Sequence, residues 1–233
     1  MTEIFDTVQS RRTLIRSALA AAGGLAVSSC VAPAAKMAAA PRPIPVPVRP
    51  VPVEVAKLGP KAPANIRPEL FKRAIAALDQ HAGRIPTHDR IAIADFSQPS
   101  YRPRLHLVHL GTGECESFLV AHGIGSDPSH TGLLQRFSNE PNSEASCEGA
   151  FLTADYYVGK HGDSQRLLGL DATNNNAYER AIVVHSAWYS NADMIAQHGK
   201  LGRSQGCFAV GERELAKVFE RLGPGRMIYS AKV

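Results

Sequence analysis

Several patterns that would assign a function at once are missing from this 233-residue chain. Its nine histidines and four cysteines contain no CxxC and no HxxxH spacing, which argues against a zinc peptidase. The sequence has no internal repeat, and its apolar, small-residue run over 17–29 is too short for a comfortable membrane span. Hydrophobic residues still make up 44% of the chain, so a folded core is expected and a wholly disordered chain is excluded.

Basic residues are scarce where a nucleic-acid-binding domain would need them. The formal net charge of the chain is +5. Residues 1–73 hold eleven Lys/Arg against four Asp/Glu, a net of +7, whereas residues 74–233 hold fifteen against seventeen, a net of −2. Because the excess lies in the N-terminal segment, we expect no nucleic-acid partner.

The N-terminal segment resembles an export signal. Arg11 and Arg12 precede the run over 17–29, an arrangement similar to a twin-arginine signal. In one alternative Cys30, which ends the lipobox-like sequence VSSC, is lipidated and tethers the protein to a membrane; in another, cleavage follows the alanines at 38–40. Both predict a mature protein in the periplasm or cell envelope, whereas a third alternative is a solvated basic helix that stays attached.

Proline sets the domain organisation. Residues 41–53, PRPIPVPVRPVPV, alternate Pro with Val, Ile or Arg. Proline fixes φ and removes a hydrogen-bond donor, so this stretch is expected to be an extended, polyproline-like spacer. We therefore divide the chain into a signal over 1–40, a Pro-rich linker over 41–66 and a folded domain over 67–233.

The folded domain is predicted to be mainly antiparallel β, with a few helices at its margin. Amphipathic patterns predict helices over 67–82 and 212–222. Apolar and alternating segments predict strands over 90–96, 104–110, 115–121, 150–158, 166–170, 181–186, 207–210 and 226–231. The GTGE turn at 111–114 predicts a hairpin, and the long polar loop over 122–149 is of a kind that is more often functional than idle.

Cys207 is the candidate nucleophile. Apart from Cys30 the chain has three cysteines, an odd number, so in an oxidising compartment at least one thiol is left over. Cys115 and Cys147 either form a disulfide or are separate core residues. A free thiol kept in an exported protein favours a chemical role. A thiol nucleophile needs a base, and His185 lies at the end of an apolar predicted strand, from which it can reach a site.

The turn GRSQGC at 202–207 supplies further candidates. Gly202 and Gly206 permit a tight turn, so that the amides of Gly206 and Cys207 are candidates for an oxyanion hole. Arg203 is either a bidentate ligand for a substrate carboxylate or a solvated turn residue.

The ordered set of motifs resembles a known family. His185 followed by Ser204-Gln205-Gly206-Cys207 resembles the H-G … [S/T]-H-G-C signature of the bacterial L,D-transpeptidases, the cysteine enzymes of peptidoglycan cross-linking. The resemblance is strongest to the divergent branch of murein L,D-transpeptidase catalytic domains. It covers roughly 91–210 and includes DFS at 95–97, VAHG at 120–123, FSN at 137–139, GKHGDS at 159–164, LGL at 168–170 and RAIVVH at 180–185.

The resemblance implies an antiparallel β-sandwich or barrel-like fold and a cysteine acyltransferase that acts on peptidoglycan stem peptides without a metal or other cofactor. Cys207 takes the place of the nucleophile, which forms a thioester, and His185 that of its base, with the Ser186 carbonyl orienting the imidazole. We expect further substrate contacts from Arg203, Ser204, Gln205, His122 and His161.

Three departures from the family pattern bear on these roles. Gln205 stands where the main family has its second histidine, which weakens any inherited role for that residue and leaves the Cys/His pair intact. Ser186 replaces a glycine, and Phe208 stands where this branch usually has proline.

The acceptor and even the activity remain open at this point. An amine acceptor from a second stem would make the protein a transpeptidase, and water would make it an L,D-carboxypeptidase. The alternatives are a catalytically lapsed peptidoglycan-binding module and a cysteine hydrolase of a different amide.

Overall fold

A computed structural model describes residues 62–233. The predicted signal over 1–40, with Cys30, and nearly all of the predicted linker lie outside the described residues. No helix formed by residues 62–233 is both long and apolar enough to cross a membrane.

The described chain forms eight strands and three α-helices. In chain order they are α1 (Pro68–Gln80), β1 (Arg90–Asp95), β2 (Leu105–His109), β3 (Cys115–Phe118), β4 (Gly149–Gly159), β5 (Gly162–Gly169), β6 (Val183–Ser186), α2 (Asp193–His198), β7 (Phe208–Val210), α3 (Leu215–Leu222) and β8 (Met227–Ala231). Every predicted strand and helix is present with shifted ends. Helix α2, six residues long, was not predicted.

All eight strands belong to one sheet with the order β3-β2-β1-β8-β4-β5-β6-β7. Five neighbouring pairs are antiparallel, which confirms the prediction of a mainly β domain with a few helices. The pairs β1–β8 and β6–β7 are parallel. These two pairs were not predicted. In each pair the two strands are joined by a long crossover segment, and patterns in short stretches of sequence do not show which strands such a segment brings together.

The segment after β3 joins the two edges of the sheet in a barrel-like arrangement. The Ala121 amide donates to the Ala209 carbonyl of β7 at 2.9 Å, and Ile124 donates to the Ser204 carbonyl at 2.8 Å. The start of the loop over 122–149 is therefore bonded to the turn that precedes β7.

Successive side chains along the strands point to opposite faces of the sheet, and each face carries its own apolar layer. One face encloses a core that includes Phe96, Phe151 and Phe208, with α3 packed against it. On the other face, α1 places its apolar stripe over β1, β8 and β4; Pro68 lies in the first turn of that helix, where a missing amide is tolerated. Full burial of one such large side chain stabilises the fold by about 1.5–3 kcal/mol.

A buried charge connects the long loop to the sheet. Arg104 is fully buried and donates to the Val120 carbonyl at 3.0 and 2.8 Å, to the Gln98 carbonyl at 2.9 Å and to His122 Nδ1 at 2.8 Å. The other ring nitrogen of His122, Nε2, lies 3.3 Å from Asp127 Oδ2. Because Nδ1 accepts from a guanidinium, Nε2 carries the ring proton and donates to Asp127.

The pKa directions agree with this chain of hydrogen bonds. Burial lowers the pKa of Arg104 to about 9, opposed by the charges of Asp95 and Asp127. Burial, together with the Arg104 charge, lowers the pKa of His122 to about 4, so this imidazole is neutral at neutral pH. Burial raises the pKa of Asp127, but hydrogen bonds from the Thr131 and Gly132 amides bring it below its usual range.

We expect Arg104→Met to lower the free energy of unfolding by about 3–5 kcal/mol, because it leaves Asp127 buried without its charge partner and removes the donors to two buried carbonyls. Urea denaturation measures this loss. The matched control is Arg73→Met on α1, whose exposed pair with Glu69 at 2.7 Å is worth about 0.5 kcal/mol at most. Equal, small losses in both variants would contradict this account of Arg104.

Candidate active site

His185 on β6 and Cys207, at the start of the neighbouring parallel strand β7, share one face of the sheet. In the β6–β7 register Val184 is opposite Phe208 and His185 is opposite Ala209. Val184 and Phe208 point into the core, so the alternating residues His185 and Cys207 point to the other face. Cys207 immediately precedes β7, beside Val183 and diagonal to His185.

The Ser186 carbonyl fixes the tautomer of His185. His185 Nδ1 lies 2.8 Å from that carbonyl oxygen. A carbonyl only accepts hydrogen bonds, so Nδ1 carries the proton and Nε2 holds the free lone pair. Burial lowers the pKa of His185, the bond to Ser186 opposes this, and the charge of His161 lowers the pKa further. The imidazole is therefore neutral at neutral pH and able to accept a proton.

Cys207 is held as a thiol in the resting structure. Its side chain is buried, and its Sγ donates to the Ala181 carbonyl at 3.5 Å. Burial raises the pKa of this thiol, whereas a hydrogen bond from the Val183 backbone and the charge of Arg180 lower it. Formation of the thiolate thus requires a base, and the thiol must turn from Ala181 towards His185 to use one.

Only glycine fits at the position before Cys207. Gly206 has φ +112, and a Cβ there would lie 2.7 Å from the Ala145 carbonyl oxygen. The Gly206 amide donates to Ser204 Oγ at 3.1 Å, and Ser204 Oγ donates to the Cys207 carbonyl at 2.7 Å. The Gly206 amide, expected in an oxyanion hole, and the Ser204 hydroxyl, expected to contact substrate, are thus both engaged within the turn, and Ser204 is buried.

Arg203 and Gln205 contact the long loop. Arg203 Nη1 donates to the carbonyls of Asp127 and Pro128, and Gln205 Nε2 donates to Glu144 Oε1 at 2.6 Å. Both side chains were expected to bind substrate. In this structure they hold the loop against the nucleophile turn, because the loop returns close enough to supply acceptors that the sequence alone did not reveal.

The two histidines expected to line the cleft have different positions. His122, expected to contact substrate, is fully buried and both of its ring nitrogens are engaged by Arg104 and Asp127. His161 lies in the turn between β4 and β5, and its exposed ring stacks on that of His185 with a centroid separation of 4.4 Å and an interplanar angle of 22°. This hairpin turn thus reaches the candidate base.

Two residues near Cys207 were not chosen from the sequence. Arg180 donates to the carbonyls of Ser138 and Ala145 at 2.7 and 2.6 Å and to Cys147 Sγ at 2.7 Å, so its charge is fixed close to the nucleophile. Arg180 lies three residues before β6, the strand that carries His185, and this position gave no sign of the contacts.

Tyr189 is the second such residue. Its ring packs against the small-residue cluster formed by Ala121, Ala187 and Ala209. Burial, with a smaller contribution from the charge of Cys207, raises the pKa of Tyr189 to about 12, so its hydroxyl stays protonated at neutral pH. A Cβ on Gly202 would lie 2.6 Å from the Tyr189 Cβ, which explains the glycine at the start of the turn.

Within residues 62–233, the two other cysteines, Cys115 and Cys147, are not bonded to each other. Cys115, Cys147 and Cys207 are all free thiols. Cys147 belongs to the core enclosed by the sheet, whereas Cys115 packs against the layer under α1. The disulfide alternative for Cys115 and Cys147 is therefore contradicted, because the two residues lie in different apolar layers.

Comparison with known proteins identifies the family that the sequence motifs resemble. A family model described as the L,D-transpeptidase catalytic domain matches residues 62–230. No curated protein matches the chain.

Solved structures that resemble the chain include several L,D-transpeptidases. One from Mycobacterium smegmatis has 13% identity and a TM-score of 0.38, over 61% of this chain and 58% of that one. L,D-transpeptidase 1 from Mycobacterium tuberculosis has 14% identity and a TM-score of 0.35, over 60% of each chain. The helical cell-shape-determining protein Pgp2 from Campylobacter jejuni has 10% identity and a TM-score of 0.39, over 61% and 47%. The chain spans less than two thirds of the length of each.

We expect His161→Phe to raise the pKa of His185. Phenylalanine keeps an aromatic ring on the imidazole while it removes the like charge that opposes protonation. An NMR titration of the His185 ring measures the change, and any activity that needs the neutral base should then begin at a higher pH. Lys160→Ala is the control, since it removes a neighbouring charge in the same turn but leaves the stack. An unchanged His185 titration in His161→Phe would contradict the coupling.

Proposed function

Because the chain belongs to the L,D-transpeptidase catalytic domain family, we propose that it is a cysteine acyltransferase that acts on peptidoglycan stem peptides. The observation that carries this proposal is the shared face of β6 and β7, where Cys207 lies diagonal to a His185 whose Nε2 lone pair is free. This is the arrangement that a thiol nucleophile and its base require.

The first half of the reaction transfers the acyl group to Cys207. His185 Nε2 takes the thiol proton while Sγ attacks the carbonyl between the L-centre of diaminopimelate and the terminal D-Ala of a tetrapeptide stem. The resulting tetrahedral intermediate breaks its C–N bond, and His185 returns the proton to the departing amine of D-Ala. The products are free D-Ala and a thioester on Cys207.

The second half depends on the acceptor. An amine of a second stem attacks the thioester and gives its proton to His185, which then protonates the departing Cys207 thiolate; the result is a cross-link. Water attacks in the same way to yield a tripeptide, which is L,D-carboxypeptidase activity. We propose the amine as the acceptor and treat water as the competing outcome.

Fixed charges near Cys207 support thiolate formation once the base has acted. Arg180 is held by two backbone carbonyls, and its positive charge lowers the pKa of Cys207. The bond from Ser186 keeps the His185 ring in the orientation and tautomer that accept a proton at Nε2. Neither effect needs reorganisation during the reaction, which is the property that makes fixed groups effective in catalysis.

We propose that the protein works outside the cytoplasm, where this substrate is found. The paired arginines and the apolar run at the N-terminus support export by a twin-arginine route. Lipidation of Cys30 would tether the domain through the Pro-rich segment, and cleavage after the alanines at 38–40 would release it.

One observation favours a second candidate, a peptidoglycan-binding module that has lost activity. Cys207 is only 8% exposed and burial raises its pKa. A thiol that cannot leave its bond to Ala181 would leave the cleft able to bind a peptide without reacting. A direct assay of acyl transfer separates this candidate from the enzyme.

We expect the protein, mixed with a disaccharide tetrapeptide, to release D-Ala and to carry an acyl adduct on Cys207, as measured by product and intact-protein mass spectrometry. Cys207→Ala removes the attacking atom, so it should reduce release by at least about 1,000-fold. Cys147→Ala is the matched control: it removes a buried thiol near the site while Arg180 keeps its two carbonyl acceptors, so this variant should keep the adduct.

The product pattern decides between the candidates. Cross-linked dimer in excess over tripeptide supports the transpeptidase, and tripeptide alone supports the carboxypeptidase. A folded protein that binds sacculi but gives neither D-Ala nor an adduct would overturn the proposal of an enzyme.

A further inference from the structure

The face that carries Cys207 and His185 continues across β5 to Arg166. In the β5–β6 register Ser164 is opposite His185 and Arg166 is opposite Val183. The intervening residue of β6, Val184, and Leu167 of β5 point into the enclosed core. Arg166 therefore points to the same face as the candidate catalytic pair.

The register also gives the distance of Arg166 from the nucleophile. Cys207 lies beside Val183 on one side and Arg166 lies beside it on the other. Neighbouring strands are about 4.8 Å apart, so the Cα atoms of Arg166 and Cys207 are separated by about 10 Å. The guanidinium leans over β4, on the side away from Cys207, so it lies somewhat farther from the nucleophile than the Cα atom does. A peptide whose reactive carbonyl is at Cys207 can still reach it with a group a few residues away.

The guanidinium of Arg166 is held in a defined orientation. Its Cζ lies 4.0 Å from the centroid of the Tyr157 ring, and its Nε lies 3.3 Å from Asp155 Oδ2. The Nη atoms donate no hydrogen bond to any acceptor within residues 62–233. The side chain is 36% exposed, so the free edge of the fork can meet a ligand.

An irregularity in β4 places the aromatic partner. The pairing of β4 with β5 shifts between Thr153 and Tyr156, after which Tyr157 is opposite Ser164. Bulges of this kind re-aim side chains and are frequent beside active sites. Here the shift puts the Tyr157 ring on the catalytic face, where it supports Arg166.

We propose that Arg166, stacked on Tyr157, binds a carboxylate of the acyl-donor peptide; this inference rests on the proposed function. A planar guanidinium with two free Nη groups matches a carboxylate bidentately, and stacking limits the side-chain freedom that binding would otherwise cost. The exposed pair with Asp155, which is 69% exposed, is weak enough for a substrate carboxylate to replace.

The spacing restricts which carboxylate is bound. An extended peptide advances about 3.3 Å per residue, so a separation of about 10 Å places the bound group within about three residues of the carbonyl that Cys207 attacks. In a stem tetrapeptide two carboxylates remain on the acyl side after D-Ala departs. They are the α-carboxylate of the isoglutamyl residue and the side-chain carboxylate of diaminopimelate.

We expect Arg166→Gln to raise the KM for a tetrapeptide stem by about 10- to 100-fold, as loss of a charge-assisted pair does, with kcat within about twofold. Arg166→Lys should recover part of the loss, because it restores the charge without the fork. Asp155→Asn removes the competing carboxylate, so its KM should stay the same or fall. Arg73→Gln on α1 is the matched control and should leave KM unchanged. Equal KM values for Arg166→Gln and the wild type would overturn the inference.

Amidated substrates identify the bound group. Amidation of the carboxylate that Arg166 contacts should raise the KM of the wild-type protein by about the same factor as the Arg166→Gln substitution does. The same amidation should not raise the KM of the Arg166→Gln variant any further. Amidation of the other carboxylate should act equally on both proteins. If each amidation raises the KM of Arg166→Gln as much as it raises that of the wild type, Arg166 does not bind a carboxylate of this substrate.

The failure of the proposed function can be distinguished from the failure of this inference. If the wild-type protein releases no D-Ala, calorimetric binding of the same peptides to Cys207→Ala tests Arg166 without turnover. Weaker binding by Cys207→Ala/Arg166→Gln, limited to peptides with the free carboxylate, would support the inference. Equal binding by the two proteins would overturn it.

Discussion

The parallel pairing of β6 with β7 is the constraint on which the site depends. It places His185 opposite Ala209 and Cys207 beside Val183, so nucleophile and base share a face although a long connection separates them in the chain. A slip of one residue in either strand would turn one of the two side chains into the core. Phe208 packs in the core against Phe96 and Phe151, and a slip would remove it from there. The packing of this one side chain therefore helps to hold Cys207 and His185 on the same face.

Around this pair, the loop over 122–149 acts mainly as a support for the nucleophile turn. Arg104, His122 and Asp127 fix its beginning through buried hydrogen bonds, while Arg203 and Gln205 fix the turn to the loop. Arg180 connects the later part of the loop to the start of β6. The polar residues of the motif thus largely satisfy backbone groups, which leaves the catalytic face itself to Cys207, His185, Tyr189 and the side chains of the β4–β5 hairpin.

Local patterns predicted the strands, α1, α3 and the candidate catalytic pair Cys207 and His185. Alternation, helical periodicity and the motif around Cys207 can each be recognised within a short stretch of sequence. The contacts of Ser204, His122 and Arg203 were not predictable, since their acceptors come from segments that meet only in the folded chain. The stack of His161 on His185 and the position of Arg166 depend on strand register and on a bulge, which periodicity does not determine. For the same reason the sequence left the pairing of Cys115 and Cys147 open.

The central claim is that His185 activates Cys207. Alkylation rates of the individual thiols, followed by peptide mass spectrometry across a range of pH, test it most directly, with Cys115 and Cys147 as internal references. We expect one thiol to react fastest near neutral pH, to be absent from Cys207→Ala and to be slowed about 10-fold or more in His185→Ala, while Cys115 and Cys147 react slowly in all proteins. Similar rates for the three thiols, or a Cys207 rate that is unchanged in a folded His185→Ala variant, would contradict it.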